Sequence, residues 1–201
     1  AIDIFKSYIE EQDIDSKDSW LNASYETGFG TLTGYAYLLE IDNSTDNSLD
    51  TYGLRFDGSR KVGENSFLYT AEFASQDAND TLKTDYLFLE VGVALSGLTA
   101  KVGLESLGSD NGEGAFSTPL ATLHKFNGWA DQFLGTPSAG VEDLYLTVSG
   151  KLVGGDWIAT YHDFSTDIDA QRFNDLGNEI NLQYTRKFGK NAIPKFWRAA
   201  C

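Results

Sequence analysis

Hydrophobic and polar side chains alternate along most of the chain between residues 19 and 188. The alternation comes in segments of about ten residues separated by clusters of Gly, Asn, Asp or Ser, which is the pattern of β-strands joined by turns. In one segment Leu87, Leu89 and Val91 stand on one parity and Glu90 stands on the other. The chain contains about ten such segments, and they predict an all-β protein with antiparallel, two-faced strands.

The connections between the predicted strands are of two kinds. Short turns at 28–30, 63–65, 96–97 and 154–155 alternate with longer acidic connections at 42–50, 76–85, 110–140 and 165–178. Up-and-down barrels of the outer-membrane type have short turns at one end and long loops at the other. We therefore predict an antiparallel up-and-down β-barrel of about ten strands over residues 1–191, with Ala1 to Asp13 as a further strand. Residues 192–201 are predicted to be an irregular tail.

One segment leaves the strand pattern. Thr118 is a capping residue, Pro119 suits a first helical position, and the apolar residues that follow recur at near-helical spacing before Gly135. The pattern predicts a short helix from Pro119 to Leu134 in the longest loop. This helix either caps the mouth of the barrel or folds into the lumen as a constriction. Its polar and aromatic residues are the candidates for contact with a solute, namely His124, Lys125, Asn127, Trp129 and Asp131.

The alternation does not decide which face of the strands lies inside. A soluble ligand-binding barrel, lipocalin-like or carbohydrate-binding, would turn the apolar face inward, with Tyr35, Phe56, Tyr69 and Leu89 inside. A membrane barrel turns the apolar face toward lipid. Strand lengths near ten, the abundance of Gly and Tyr, and aromatic residues near strand ends favour the membrane barrel. Those aromatic residues are Trp20, Tyr52, Phe67, Tyr86, Trp157 and Phe188.

In a membrane barrel the polar parity of the strands would line the lumen. That parity carries both signs of charge close together, and its candidate pore-lining residues are Arg55, Glu72, Glu90, Lys101 and Glu105. The chain as a whole is acidic, with 30 Asp and Glu residues against 15 Lys and Arg and a formal net charge of −15. Such a charge repels a phosphate backbone, so nucleic acid is not expected as a partner. The same charge predicts a modest preference of the lumen for cations.

The apolar stretches are far shorter than the roughly 18–20 residues of a membrane-spanning helix, whereas a membrane-spanning strand needs about 9–11. The single cysteine, Cys201, allows neither an internal disulfide nor a cysteine-based zinc cluster.

Two histidines, His124 and His162, are the side chains with an ordinary pKa suited to general base catalysis near neutral pH. Neither stands in a metal-binding pattern, and the sequence has no nucleophile elbow, no phosphate-binding loop and no dinucleotide fingerprint. Glu72 and Glu90 are the best pair of carboxylates for a glycosidase, but carboxylates in a lumen commonly tune ion selectivity instead. We therefore expect no enzymatic activity and no cofactor.

Asp42, Asp46 and Asp50, with Ser44 and Ser48 between them, lie at alternate positions of a loop, as the ligands of a calcium-binding loop do. Asn47 stands where an EF-hand requires Gly, and Gly53 stands where it requires a bidentate Glu. The loop is therefore a weak calcium candidate, and a solvated acidic rim is the favoured interpretation.

Several runs of residues carry a family resemblance. They are Thr-Pro-Leu-Ala-Thr-Leu-His-Lys-Phe-Asn-Gly-Trp-Ala-Asp-Gln-Phe-Leu at 118–134, Gly-Val-Glu-Asp-Leu-Tyr at 140–145 and Tyr-His-Asp-Phe at 161–164, with weaker likeness at 18–24, 34–39 and 51–55. Through about residue 191 the chain resembles Gram-negative outer-membrane porin-like proteins with an alginate-export-type barrel domain. The resemblance implies a passive channel in the outer membrane. Together with the two-faced strands and the asymmetry of the turns, it predicts the lipid bilayer and small hydrophilic solutes, saccharides among them, as partners. Members of that group are longer, so the chain resembles an internal portion of such a barrel.

Overall fold

The computed structural model of the protein describes residues 17–40, 48–119, 127–168, 174–187 and 195–200. The regular elements of these residues are β1 Ser19–Glu26, β2 Thr31–Glu40, β3 Ser48–Val62, β4 Asn65–Ala78, β5 Leu82–Leu95, β6 Leu98–Leu107, β7 Ser109–Asp110, β8 Gly114–Ala115, β9 Val141–Leu152, β10 Gly155–Ser165, β11 Asp175–Thr185 and β12 Lys195–Ala200. Ten strands form one antiparallel sheet in the order β1-β2-β3-β4-β5-β6-β9-β10-β11-β12, and β7 pairs with β8. The prediction of an all-β, antiparallel, up-and-down arrangement is confirmed.

The turns at one end of the sheet lie where the alternation predicts them, but the other end differs. Strand β4 ends at Ala78 and strand β5 begins at Leu82, so the long connection predicted at 76–85 is a tight turn. Asn79 and Asp80 make this turn with φ of 57° and 55°. Asn and Asp tolerate this left-handed conformation better than other non-glycine residues do.

The prediction of an irregular tail is wrong for residues 195–200, which form β12 and pair with Ile180–Thr185 of β11. The reason is that the free edge of β11 offers backbone hydrogen bonds that any extended segment accepts. The predicted strand over residues 1–13 lies outside the described residues.

The prediction of a helix from Pro119 to Leu134 is wrong for residues 127–134, the part of that segment beyond Pro119 that the structure describes. Residues 127–134 form turns, and Asn127, Gly128 and Asp131 have φ of 51°, 85° and 54°. The side chain of Glu179 on β11 accepts the backbone N–H groups of residues 129 and 130, a tertiary contact that local helical spacing does not reveal. Residues 120–126 lie outside the described residues. In the part of the chain that the structure describes, no helix has the length and apolar character to cross a membrane.

The two faces of the sheet differ in what covers them. Glu105 and Asp143 are 5% and 1% exposed, whereas Leu54, Leu89 and Leu182 are 53%, 44% and 53% exposed. Strand alternation puts the acidic residues on one face and the leucines on the other. We call the first the covered face and the second the exposed face. On β3 to β6 and β9 to β11 the polar parity is therefore the one that the fold covers, whereas on β2 the covered parity is that of Tyr35, Tyr37 and Leu39.

The connection between β6 and β9 lies across the covered face. Its Ser117 backbone exchanges two hydrogen bonds with the Gln76 side chain of β4, at 2.8 and 2.9 Å. At its far side the same connection meets Glu179 of β11. Phe116 packs with Leu107 and Ala74 in a small hydrophobic core beneath this connection.

The sheet is strongly curled around the covered face. Asn127 lines one cavity with Trp20 of β1, and the next residue, Gly128, lies against the Glu179 side chain of β11. Eight ladder steps separate β1 from β11. In a flat sheet these strands would lie about 38 Å apart at about 4.8 Å per step. In the described residues no ladder joins β1 to β12, so the described sheet is open and these strands are its edges.

Two tyrosines cross the covered face above glycines. Tyr35 of β2 stands opposite Gly53 of β3, and Tyr145 of β9 stands opposite Gly103 of β6. A Cβ at either glycine would collide with the tyrosine ring that lies over it. Because glycine has no side chain, each ring lies flat across the neighbouring strand and its hydroxyl reaches the strand beyond.

We expect Gly53→Ala to destabilise the folded protein by about 1–3 kcal/mol, because the added methyl group forces the Tyr35 ring out of its place. Gly34→Ala on the adjacent strand is the matched control. The nearest heavy atom to its new Cβ lies 3.9 Å away, so its stability should stay close to that of the unsubstituted protein. Urea unfolding followed by tryptophan fluorescence measures both variants. Equal losses at the two positions would contradict the packing described for Tyr35.

Candidate functional site

A cavity of about 600 Å³ opens on the covered face between β1–β6 and the connection that crosses it. Strands β1 to β6 contribute Trp20, Asn22, Thr33, Tyr35, Tyr37, Leu39, Leu49, Thr51, Arg55, Glu72, Gln76, Tyr86 and Glu105 to its lining, and the connection contributes residues 116–119 and Asn127. Its size and its mixed aromatic and polar lining are those of a small-molecule site.

Glu72 is the centre of one hydrogen-bond network in the cavity. Tyr35 Oη donates to Glu72 Oε1 at 2.6 Å, and Arg55 Nη1 donates to Glu72 Oε2 at 2.6 Å. Arg55 also holds Asp57 through Nε at 2.7 Å and Nη2 at 2.8 Å, and Thr70 donates to Asp57 at 3.1 Å. Such bidentate and charge-assisted bonds fix the guanidinium and both carboxylates in place.

Glu90 repeats this construction further along the same face. Lys101 Nζ donates to Glu90 Oε1 at 2.8 Å, and Tyr145 Oη donates to Glu90 Oε2 at 2.8 Å. Glu72 and Glu90 thus each hold one cation and one tyrosine that crosses a glycine. The pair that the sequence offered for glycosidase chemistry is divided between two separate ion pairs.

Glu105 is a further carboxylate of the covered face, and it lines the cavity. It is 5% exposed, and its Oε1 accepts a hydrogen bond of 2.7 Å from Tyr86 Oη. The Tyr86 ring packs on Phe116 at a centroid distance of 5.3 Å. Phe116 of the crossing connection therefore packs on Tyr86, and Tyr86 in turn donates the hydrogen bond to Glu105.

Three aromatic rings form a continuous strip along one wall of the cavity. Trp20 and Tyr37 have ring centroids 5.2 Å apart, and Tyr37 and Tyr35 stack at 4.8 Å with an interplanar angle of 22°. Tyr37 Oη donates to Asn22 Oδ1 at 3.0 Å, which ties β2 to β1. We call Trp20, Tyr37 and Tyr35 the aromatic strip.

A second polar cluster lies on β9, β10 and β11, outside the cavity lining. His162 Nδ1 approaches the Asp143 carboxylate at 2.8 and 3.0 Å, with both residues buried. His162 Nε2 and both polar side-chain atoms of Asn181 are buried without a hydrogen-bond partner in the described structure. His162 therefore pairs across the strands, while its sequence neighbour Asp163 points to the opposite face.

The structure brings four of the predicted residues together in the cavity: Arg55, Glu72, Glu105 and Asn127. Glu90 and Lys101 pair on the same face outside the lining. The lining also omits Trp129 and Asp131, and the backbone N–H of Trp129 bonds to Glu179. His124 and Lys125 lie outside the described residues.

The weak calcium candidate gains no support from the described part of the loop. Asp50 lies within β3 and pairs with Leu38 and Asp77 in the two adjacent ladders. Asp42 and Asp46 lie outside the described residues. Among the residues that the structure describes, no group of three or more acidic, histidine or cysteine side chains is arranged to hold a metal ion.

Sequence reasoning missed the aromatic strip and Gln76. Trp20 and Tyr86, which the sequence offered as interfacial aromatics, line the cavity instead. A signal was present in β2, where Tyr35 and Tyr37 share one parity while Gly34 and Ala36 occupy the other.

Comparison of the chain with protein families, with curated proteins and with solved structures finds no match. The resemblance to alginate-export-type barrels therefore stays a prediction that rests on the quoted residues. The two faces of the sheet and the cavity are the features that bear on function.

Proposed function

We propose that the chain forms the wall of an outer-membrane β-barrel of a Gram-negative bacterium and acts as a passive channel for small hydrophilic solutes, saccharides among them. The observation that carries this proposal is the polarity of the two faces: the covered face holds carboxylates and ion pairs, and the exposed face holds large apolar side chains. This arrangement is typical of a membrane barrel with a polar lumen.

The exposed face supports contact with lipid. Phe73, Leu89, Leu146 and Ile180, from four different strands, are 53%, 44%, 50% and 57% exposed. A large continuous apolar surface of this kind marks a contact with a protein or a membrane. Burying one such side chain is worth about 1.5–3 kcal/mol, so the whole face gains greatly from leaving water.

The covered face supports a lumen. Its ion pairs Arg55–Glu72 and Lys101–Glu90 have side chains between 13% and 36% exposed, so water still reaches them. A soluble protein of this size gains its stability mainly from a buried apolar core. Here the buried hydrophobic residues clustered in the described structure are Ala74, Leu107 and Phe116.

The curl of the sheet supports closure. Backbone groups left unpaired in hydrocarbon cost several kcal/mol each, so a sheet spans a bilayer only when its edges are joined. The proposal therefore includes closure of the sheet into a barrel around the covered face.

The soluble alternative requires one interior made of Tyr35, Phe56, Tyr69 and Leu89. Strand alternation divides this set, because Tyr35 lies on the covered face while Leu89 lies on the exposed face and is 44% exposed. Phe56 and Tyr69 share the parity of exposed residues on their own strands, Leu54 and Phe73. This division favours the membrane barrel.

We expect Leu89→Arg to destabilise the protein folded in phospholipid vesicles by about 2–4 kcal/mol, because Leu89 lies at the middle of β5 and a charge at the bilayer midplane is costly. Leu95→Arg is the matched control at the end of the same strand and on the same face. It should cost about 0–1 kcal/mol, because its charge reaches the interface. Equilibrium unfolding with guanidinium in vesicles measures both.

Equal effects at Leu89 and Leu95 would contradict a membrane-spanning β5. Purification of the protein as a stable monomer from a membrane-free fraction without detergent would also overturn the proposal.

We expect the channel to prefer cations and Glu90→Gln to reduce that preference, because the substitution leaves the Lys101 charge uncompensated in the lumen. Glu64→Gln, at the exposed turn between β3 and β4, is the matched control and should leave selectivity unchanged. Reversal potentials in planar bilayers under a salt gradient measure the effect. The preference should weaken as salt rises, since the Debye length is about 10 Å at 0.1 M and shorter above it. Anion preference in the unsubstituted protein would refute the charge argument.

A further inference from the structure

We propose that the cavity binds an uncharged oligosaccharide along the aromatic strip and discriminates against acidic sugars. This inference rests on the proposed function, since it names the class of solute that the channel selects. It depends on three observations: the strip itself, the acceptors elsewhere in the cavity lining, and the charges that line the cavity.

The aromatic strip supplies the apolar contact. Its rings follow one another at 5.2 and 4.8 Å without a break, from the exposed Trp20 inward to Tyr35. Sugar rings present C–H faces that pack on aromatic faces, and rigid aromatic side chains bind them at low entropic cost. A row of rings fits a chain of sugars better than it fits one small polar molecule.

Other residues of the cavity lining supply hydrogen-bond acceptors. Asn127 is 9% exposed, lines the cavity, and has a buried Oδ1 without a hydrogen-bond partner in the described structure. Glu105 uses Oε1 for Tyr86, and a carboxylate has capacity for further bonds. A hydroxyl-rich ligand donates to such acceptors, and a buried acceptor left without a donor is costly.

The charges determine the class of sugar. Arg55 is the cation among the described residues that line the cavity, and Glu72 and Glu105 are the carboxylates. Arg55 already directs Nη1 to Glu72 and Nε and Nη2 to Asp57. These bonds use three of the five guanidinium N–H donors, and the carboxylates of Glu72 and Asp57 share the single positive charge of Arg55. A uronate would therefore meet an excess of negative charge around Arg55. Like charges brought together in this way exclude a ligand that is otherwise of the right shape.

Isothermal titration of the full chain in detergent micelles tests the class of ligand. Maltohexaose and cellohexaose are the neutral probes, and hexamannuronate is the acidic probe of equal length. We expect at least one neutral probe to bind and hexamannuronate to bind about tenfold more weakly or worse, a difference of about 1.4 kcal/mol. Equal or tighter binding of hexamannuronate, or no binding of either neutral probe, overturns the proposal.

Trp20→Ala and Tyr37→Ala test the place of binding. Each should weaken the neutral probe about tenfold, since each removes a ring of the strip. Tyr37→Phe keeps the ring and should retain most of the affinity. Trp157→Ala is the matched control, because Trp157 lies outside the cavity lining on β10. Unchanged binding in Trp20→Ala and Tyr37→Ala, with native circular dichroism, overturns the assignment to the strip.

Bilayer conductance of the same preparations separates this inference from the proposed function. Strip-dependent binding without conductance supports the cavity and refutes the channel. Conductance without binding of the neutral probes supports the channel and refutes the cavity assignment.

Discussion

The carboxylates on the covered face require donors from other strands, and the rest of the arrangement depends on this requirement. A carboxylate taken out of water without a partner costs far more than one that is hydrogen-bonded and paired. Glu72 and Glu90 meet the requirement in the same way, each with one cation and one tyrosine hydroxyl. The tyrosines reach them only by crossing Gly53 and Gly103. These contacts fix the register, because a slip of one residue would turn the partners to the opposite face.

Because the covered face takes most of the polar side chains, the apolar side chains are left on the exposed face. With the polar parity inside, most of the apolar parity remains outside, and removing that parity from water would add stability to the folded protein. The small core of Ala74, Leu107 and Phe116 lies beside the cavity, where the crossing connection seals one part of the covered face. The cavity lies between this small core and the edge strand β1. Aromatic rings and hydrogen-bond acceptors line it and leave its interior open.

Local pattern predicted the strands and the short turns well, and it failed where distant groups decide the backbone. The alternation placed β5 and β6 with their turn at 96–97, because period-two patterning is a property of the strand itself. The helical spacing after Pro119 did not produce a helix over 127–134, because Glu179, about fifty positions away, binds the backbone there. The tail at 195–200 became a strand because β11 offers it an edge, and its own sequence carries no clear alternation.

The sequence by itself determined that the protein is built of two-faced antiparallel strands with an acidic polar parity, and it pointed to Arg55, Glu72, Glu105 and Asn127, which line one cavity. Only the tertiary structure decided which parity is covered, because alternation is the same whichever face turns inward. Only the tertiary structure paired His162 with Asp143 on β9, since cross-strand neighbours follow from register and not from adjacency in the chain. The presence of Trp20 and Asn127 in one cavity likewise depends on the curl of the sheet, which brings β1 near a connection that also binds β11. The curl accumulates from the twist between many pairs of strands, and the register depends on how each strand pairs with its neighbours. No single segment of the sequence encodes either of them.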